Sequence, residues 1–228
     1  GDMLREYSTA KDAQDKGNDG LMTVFYNTRL ARVWKRTIQV ISHETLIERA
    51  EHYHLQLAPE KVLFVTAAVD TQDNRLACQV VGWGKNLSAW ILDYVEFPGD
   101  PANDQVWETL TEYINSGIRH ESGRTLPIIA TGIDTGGHRT HAVRHYVRLN
   151  AIRNPIALFG STSINAPPLK KGNAVDVIWK GIAKKKILIQ YIVGTTDLKH
   201  DLYSKLKNDD EKELEDRFIH FSNELPNE

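Results

Sequence analysis

Val62-Leu63-Phe64-Val65-Thr66-Ala67-Ala68-Val69-Asp70 is the stretch whose reading decides the fold. It is an uncharged, largely apolar run that stops on a carboxylate, which is the composition of a buried strand. Asp70 to Asn74 has turn composition. Arg75 to Gly82 then alternates, with Leu76, Cys78 and Val80 against Ala77, Gln79 and Val81, and reads as a second strand. Ala89 to Phe97 (AWILDYVEF) reads as a third. The three together predict a meander of strand, tight turn, strand, short loop and strand.

Working outward, Pro98-Gly99-Asp100-Pro101 breaks the third strand. Val106, Trp107, Leu110 and Ile114 share one helical face, so Asp104 to Ile114 is predicted as a helix. Pro127 to Ile133 reads as a fourth strand ending in Asp134, with a Thr135-Gly136-Gly137 turn after it. His141 to Leu149 is predicted helical, and Ile156 to Phe159 is a fifth strand stopped by Gly160. Leu169 to Gly172 reads as a basic loop and Val175 to Lys185 as a helix. Ile187 to Val193 is another strand and Thr196 to Leu206 a helix. Asn208 to Asp216 reads as a charged loop, and Arg217 to Phe221 as a short last strand. Before Val62, residues 4–20 are polar. Leu21 to Trp34 has helical spacing, and Ser42 is a plausible N-cap for a further helix. Residues 1–60 therefore read as a helical arm and 61–228 as the main domain.

The bulk numbers set limits. The 228 residues carry a net charge of −2, so the chain as a whole gives no electrostatic reason to expect nucleic acid, and any such surface must be local. The single cysteine, Cys78, excludes an internal disulfide framework and reads as a packed thiol. No segment has the roughly 18–20 apolar residues of a membrane span.

Asp70 and Asp134 both end central strands, where a carboxylate is exposed yet rigidly held. On adjacent strands they can share Mg²⁺ or Mn²⁺, ions that prefer hard oxygen ligands, and a two-metal site of that kind hydrolyses phosphodiesters. The alternative is that each Asp simply opens a turn. Asp93 lies within the third strand and is a further ligand if it faces the same side as Asp70, or a solvent-facing residue otherwise. Glu96 alternates differently from Asp93 and reads as surface. His138 and Arg139 follow the Gly-Gly turn beside Asp134 and suit phosphate contact. Lys170 and Lys171 sit toward the same end of the sheet, and Lys184 to Lys186 form a second basic cluster. Trp83 and Trp90 read as packing residues.

Three antiparallel strands, a helix, then alternating strands and helices is the RNase H-like order: an α/β fold with a mixed five-stranded-type sheet flanked by helices. Within it, several stretches resemble the C-terminal nuclease domain of the large terminase subunit of lambda-like tailed bacteriophages. They are Val69-Asp70-Thr71-Gln72 with Asp73-Asn74-Arg75, Gly82-Trp83-Gly84, Trp90-Ile91-Leu92-Asp93 and Asp134-Thr135-Gly136-Gly137. Gly194-Thr195 with the helix to Tyr203, Ile219-His220-Phe221, and, in the arm, Phe25 to Trp34 and Glu48 to Tyr53 complete the set. The resemblance implies an endonuclease that cuts concatemeric double-stranded DNA during packaging in the bacterial host's cytoplasm. Its partners would be the terminase ATPase domain, the small subunit and the portal protein, with no membrane involved. Asp70 and Asp134 take the family's metal-binding positions. The family's third acid lies on a helix beyond the final strand, and no match to that helix follows Phe221. No GxxxxGK[S/T] pattern occurs, so the ATPase is expected outside these residues. Two other functions fit the residues: another RNase H-like nuclease such as a resolvase, or a non-catalytic domain that docks DNA or portal.

Overall fold

A computed structural model describes residues 2–15, 20–32 and 43–226. Helices α1 (Asp2–Asp15) and α2 (Gly20–Arg29) pair as a hairpin around Ala10, Met22 and Phe25, with an Arg29–Glu6 ion pair across it. The predicted helix end at Trp34 and the Ser42 cap lie outside the described residues; α3 spans His43–Glu48. There follow β1 (Leu57–Ala58), β2 (Phe64–Thr71), β3 (Arg75–Trp83), β4 (Ala89–Pro98) and α4 (Asp104–Ser116). Next come β5 (Ile118–His120), β6 (Thr125–Leu126), β7 (Ile128–Asp134), α5 (Thr140–Leu149) and β8 (Pro155–Ser161). The chain continues with β9 (Leu169–Trp179), β10 (Ile182–Gly194), α6 (Thr195–Asn208) and β11 (Ile219–Phe221).

The strands form two mixed sheets. The larger has eight strands in the order β11-β4-β3-β2-β7-β8-β10-β9, and β1-β5-β6 make a small three-stranded one. The meander appears where the sequence places it, with β2, β3 and β4 antiparallel and β7 and β8 added parallel to β2. The expected five-stranded sheet is widened by β11 at one edge and by β10 and β9 at the other. Helices α4 and α5 cover one face. Val106, Trp107, Leu110 and Ile114 from α4, with Val143, Tyr146 and Val147 from α5, pack on Val69, Cys78, Val80 and Ile133. Each large side chain buried this way contributes roughly 1.5–3 kcal/mol. Cys78 is among them, and burial pushes its thiol up to about 12, so it is packing and not a nucleophile. Trp90 is also packed, stacked on His220 at 4.3 Å.

The region 169–194 corrects two expectations. Leu169–Gly172 is not a loop and Val175–Lys185 is not a helix; both belong to the β9–β10 ribbon. The reason is local. Val175, Val177 and Ile178 are β-branched, and Lys180-Gly181 takes left-handed backbone (φ 46° and 81°). Two successive positive φ angles make the tight turn that closes a hairpin.

The segment before β2 is bonded to the large sheet. Glu51 N–H donates to Phe221 O at 2.8 Å and Gln56 N–H to Leu92 O at 2.8 Å. Arg49, 8% exposed, donates to Ile219 O and Asp210. Among the described residues no helix is long and apolar enough to cross a membrane.

Candidate active site

β2 and β7 run parallel, with Val69 opposite Ile133. Asp70 and Asp134 are the next residue on each strand, so their backbones sit one strand spacing apart, roughly 4.8 Å. Alternation turns Val69 and Ile133 into the core and both aspartates to the opposite, open face. There Asp70, Asp134, Gln72, Tyr94 and Leu158 line a hollow of about 450 Å³ floored by Ala68, Ala77 and Gly132.

Each carboxylate is fixed by a residue two positions further on. Gln72 Nε2 donates to Asp70 Oδ2 at 3.0 Å, and the Gly136 N–H donates to Asp134 Oδ1 at 3.0 Å. Among the described residues Asp70 Oδ1 and Asp134 Oδ2 take no further hydrogen bond. Gly136 also lies close to the acid it holds, since a Cβ there would sit 3.1 Å from Asp134 Oδ2. Thr135 anchors the turn from below, donating from Oγ1 to Leu158 O at 2.6 Å.

Asp93 is not part of this site. It is 5% exposed, on the helix-covered face, where Tyr113 Oη donates to it at 2.6 Å and Gln56 Nε2 at 2.9 Å. The cause is a bulge. Val81 pairs with Ile91 and Val80 with Asp93, leaving Leu92 as an extra residue, so Leu92 and Asp93 are both buried. Glu96 lies beyond the bulge on the face of Asp70, with Ala77 on the strand between them. That puts it two strands from Asp70, roughly 10 Å. Glu96 pairs with Arg75 at 3.1 Å and accepts from Tyr94 Oη at 3.1 Å. Burial and the bond to Glu96 push the Tyr94 phenol up, keeping it a donor. Sequence parity alone marks Glu96 as surface, which it is; that its surface is the face of Asp70 needs the pairing of three strands.

The predicted phosphate contacts divide. Arg139 Nη2 lies 3.0 Å from Asp100 and its Nε 3.6 Å from Asp73, with exposed His138 Nδ1 3.5 Å from the same Asp73. These pairs tie the loop after β7 to the turns after β2 and β4. Lys171 continues the row on the open face: Asp134 is paired with Leu158, Leu158 with Tyr191, and Tyr191 with Lys171. It stands three strands from Asp134, roughly 14 Å. Lys170, paired with Ile192, points to the other side.

Among the described residues no group of three His, Cys, Asp or Glu is arranged around one point to hold a metal. The donor set that does converge is the Asp70–Asp134 pair. It consists of hard carboxylate oxygens with no thiolate or imidazole, which suits Mg²⁺ or Mn²⁺ and not Zn²⁺.

The profile of the terminase large subunit gpA endonuclease domain matches residues 1–228. The chain is similar to the large terminase subunit of Escherichia phage lambda, 32% identical over 123 residues, which is 54% of this chain and 19% of that protein. It is similar to the large terminase subunit of Enterobacteria phage P21 at 25% over 195 residues, 85% of this chain and 29% of that one. The chain thus spans less than a third of either curated relative. No solved structure matches.

Proposed function

The chain belongs to the endonuclease-domain family of the terminase large subunit, and from that premise we propose that it is an RNase H-like, metal-dependent endonuclease cutting concatemeric double-stranded DNA during phage genome packaging. The observation that carries this reading is the pair Asp70 and Asp134, side by side at the ends of parallel β2 and β7 on an open face. The fold assignment is supported by the strand order β4-β3-β2-β7-β8, three antiparallel strands followed by two parallel additions.

Asp70 and Asp134 would hold Mg²⁺ or Mn²⁺. Such an ion would supply Lewis-acid activation of water and neutralise charge on the phosphodiester. Gln72 and Gly136 orient the two carboxylates by one hydrogen bond each, so the ligands are in place before the ion arrives. Ala68, Ala77 and Gly132 keep the floor low, so a DNA backbone can approach. His138, Arg139 and Lys171 contact phosphates on either side, Arg139 after exchanging Asp73 and Asp100 for phosphate oxygen. Lys170, on the other face of the sheet, meets DNA backbone away from the cutting site. These contacts position the duplex without reading sequence. The ATPase domain, small subunit and portal protein are the partners of the longer protein, in the host cytoplasm.

Nicking of supercoiled plasmid in Mn²⁺ tests this. Cleavage is expected in Mn²⁺ or Mg²⁺, to stop with EDTA, and to disappear in Asp70→Ala and Asp134→Ala, with Mn²⁺ binding lost in titration calorimetry. Cleavage that survives both substitutions sinks the assignment. No metal-dependent cleavage in a chain extended beyond Glu228 leaves the docking role.

A further inference from the structure

Formal charge is segregated along this chain. Residues 138–194 contain ten Lys and Arg and a single acid, Asp176, a net of +9; the whole chain carries −2, so the remainder carries −11. The fold gathers much of this segment on the side of the sheet away from Asp70 and Asp134. α5 lies on the covered face. The β9–β10 ribbon is held to β8 only through residues 190–194, and its far part bends over α5. There Trp179 stacks on His145 at 4.8 Å with 10° between the planes, and Lys180 reaches Asp104 on α4 at 2.6 Å. Burial first, then Arg148, holds His145 below its ordinary value, with Asp104 opposing and Lys180 and Lys184 adding, so cations from helix and ribbon, with one carboxylate from α4, face this spot.

The ribbon is built to present its lysines. In a regular strand Lys185 would face opposite to Lys184 and Lys186. Here the pairing jumps from Lys184–Val177 to Leu188–Val175, and Lys186 takes a left-handed φ of 48°. The Asp176 carboxylate stabilises that bulge by accepting the Lys186 N–H at 2.8 Å. Lys184, Lys185 and Lys186 are all exposed, and among the described residues none of them has a carboxylate within ion-pair distance. The one acid of the segment is thus bonded to backbone and neutralises none of the three.

We propose that the α5–ribbon surface is a second contact for duplex DNA, gripping the phosphate backbone on the side of the domain away from the cutting site. The proposal rests on the nuclease reading for its choice of ligand. Lysines are point charges that bind phosphate without geometric selection. Trp179, the nearby aromatic ring, is already stacked on His145, so the surface lacks a free platform for bases. That favours a duplex over a single strand. A sheet with a helix layer separates this surface from the carboxylates by roughly 15 Å. A straight duplex therefore does not touch both, and the surface retains DNA without setting where it is cut.

The test is fluorescence anisotropy of the full chain with a 30-base-pair duplex in EDTA, where no cleavage occurs. The triple variant Lys184→Ala, Lys185→Ala, Lys186→Ala is expected to bind at least about tenfold more weakly, with the salt slope reduced by about 2–3. Arginine at the three positions is expected to restore binding, and Lys61→Ala with Lys85→Ala, at the far edge, to leave it unchanged. Binding by the triple variant within twofold of the parent, at unchanged melting temperature, overturns the proposal. So does tighter binding to a single strand or to phosphatidylserine vesicles than to the duplex. Failure of the nuclease reading is separate: the parent then fails to cut in Mn²⁺ while its anisotropy response to the triple variant persists.

Discussion

At the ends of β2 and β7, Asp70 and Asp134 each take one hydrogen bond among the described residues, which leaves the other oxygen of each without one. At the seam between the arm and β11, Asp209 is fully buried and saturated. It accepts from the Phe218 and Ile219 N–H groups at 2.9 Å and from Lys212 Nζ at 3.1 Å, with Arg49 at 3.8 Å. The same side chain does opposite work in the two regions. Asp209 ties the end of α6 to the last strand, and the arm residue Arg49 joins it through Asp210 and Ile219 O. No lone pair is left for a ligand. The pair on the open face is under-coordinated, rigid and close to a neighbour, which is the condition for binding a cation. A carboxylate's role here follows from how many donors the fold aims at it.

The sharpest way to break that comparison is to remove one carboxylate from each region. Asp70→Ala is expected to lower plasmid cleavage roughly a thousandfold, the several kcal/mol an ion contributes at a phosphodiester, while the melting temperature stays put. Asp209→Ala is expected to do the reverse. Leaving Arg49 and two backbone N–H groups buried without their acceptor costs about 3–5 kcal/mol, read by urea unfolding. The fraction that remains folded should bind Mn²⁺ as the parent does. If Asp209→Ala instead loses metal binding at unchanged stability, the division of roles is wrong.

Asp93 offers an intermediate case, and a smaller effect. It is buried like Asp209 but takes two side-chain donors, Tyr113 and Gln56. In Asp93→Asn the amide oxygen can keep both bonds at the place of Oδ2, and the cost of about 2 kcal/mol comes from the NH2 group buried where Oδ1 stood. Cleavage per folded molecule should not change. A selective loss of metal binding in this variant would return Asp93 to the site, against its position on the helix-covered face.

These contrasts also mark what the sequence discloses. The run from Val62 to Asp70 and the one ending at Asp134 carry strand composition, and the meander follows from two short turns, so the pair and its shared edge are legible. Asp93 is not, because the bulge at Leu92 reverses parity in a stretch whose letters still alternate plausibly. Glu96 becomes a neighbour of Asp70 only through pairing across three strands. The β9–β10 ribbon is missed for a related reason. Val175 to Lys185 has only one alanine and three lysines, and the deciding feature is the left-handed Lys180-Gly181 turn, a conformation lysine seldom adopts. Asp209 reads as one acid in a charged loop, since its partners Arg49 and Phe218 come from the arm and from the last strand.

The finest version of the comparison alters the coordination of an open-face aspartate without removing it. Gly136 both donates to Asp134 Oδ1 and leaves room beside it, with an added Cβ 3.1 Å from Oδ2 and 3.4 Å from Oδ1. A methyl group at that distance requires the carboxylate to give by a few tenths of an ångström. Gly136→Ala therefore keeps both ligands and the fold while moving one ligand relative to the other. Disturbing a group that orients a metal ligand typically costs 10- to 100-fold in metal affinity or activity. Because the donor itself survives, the expectation is the low end, about tenfold in cleavage, recovered in part at high Mn²⁺. Gly137→Ala, at a position of positive φ with nothing within 4 Å of its Cβ, strains the same turn without crowding the acid. Equal losses in the two variants would mean that turn conformation, not the placement of Asp134, limits the reaction; a loss in Gly136→Ala that high Mn²⁺ relieves, with no such relief in Gly137→Ala, assigns the effect to the carboxylate.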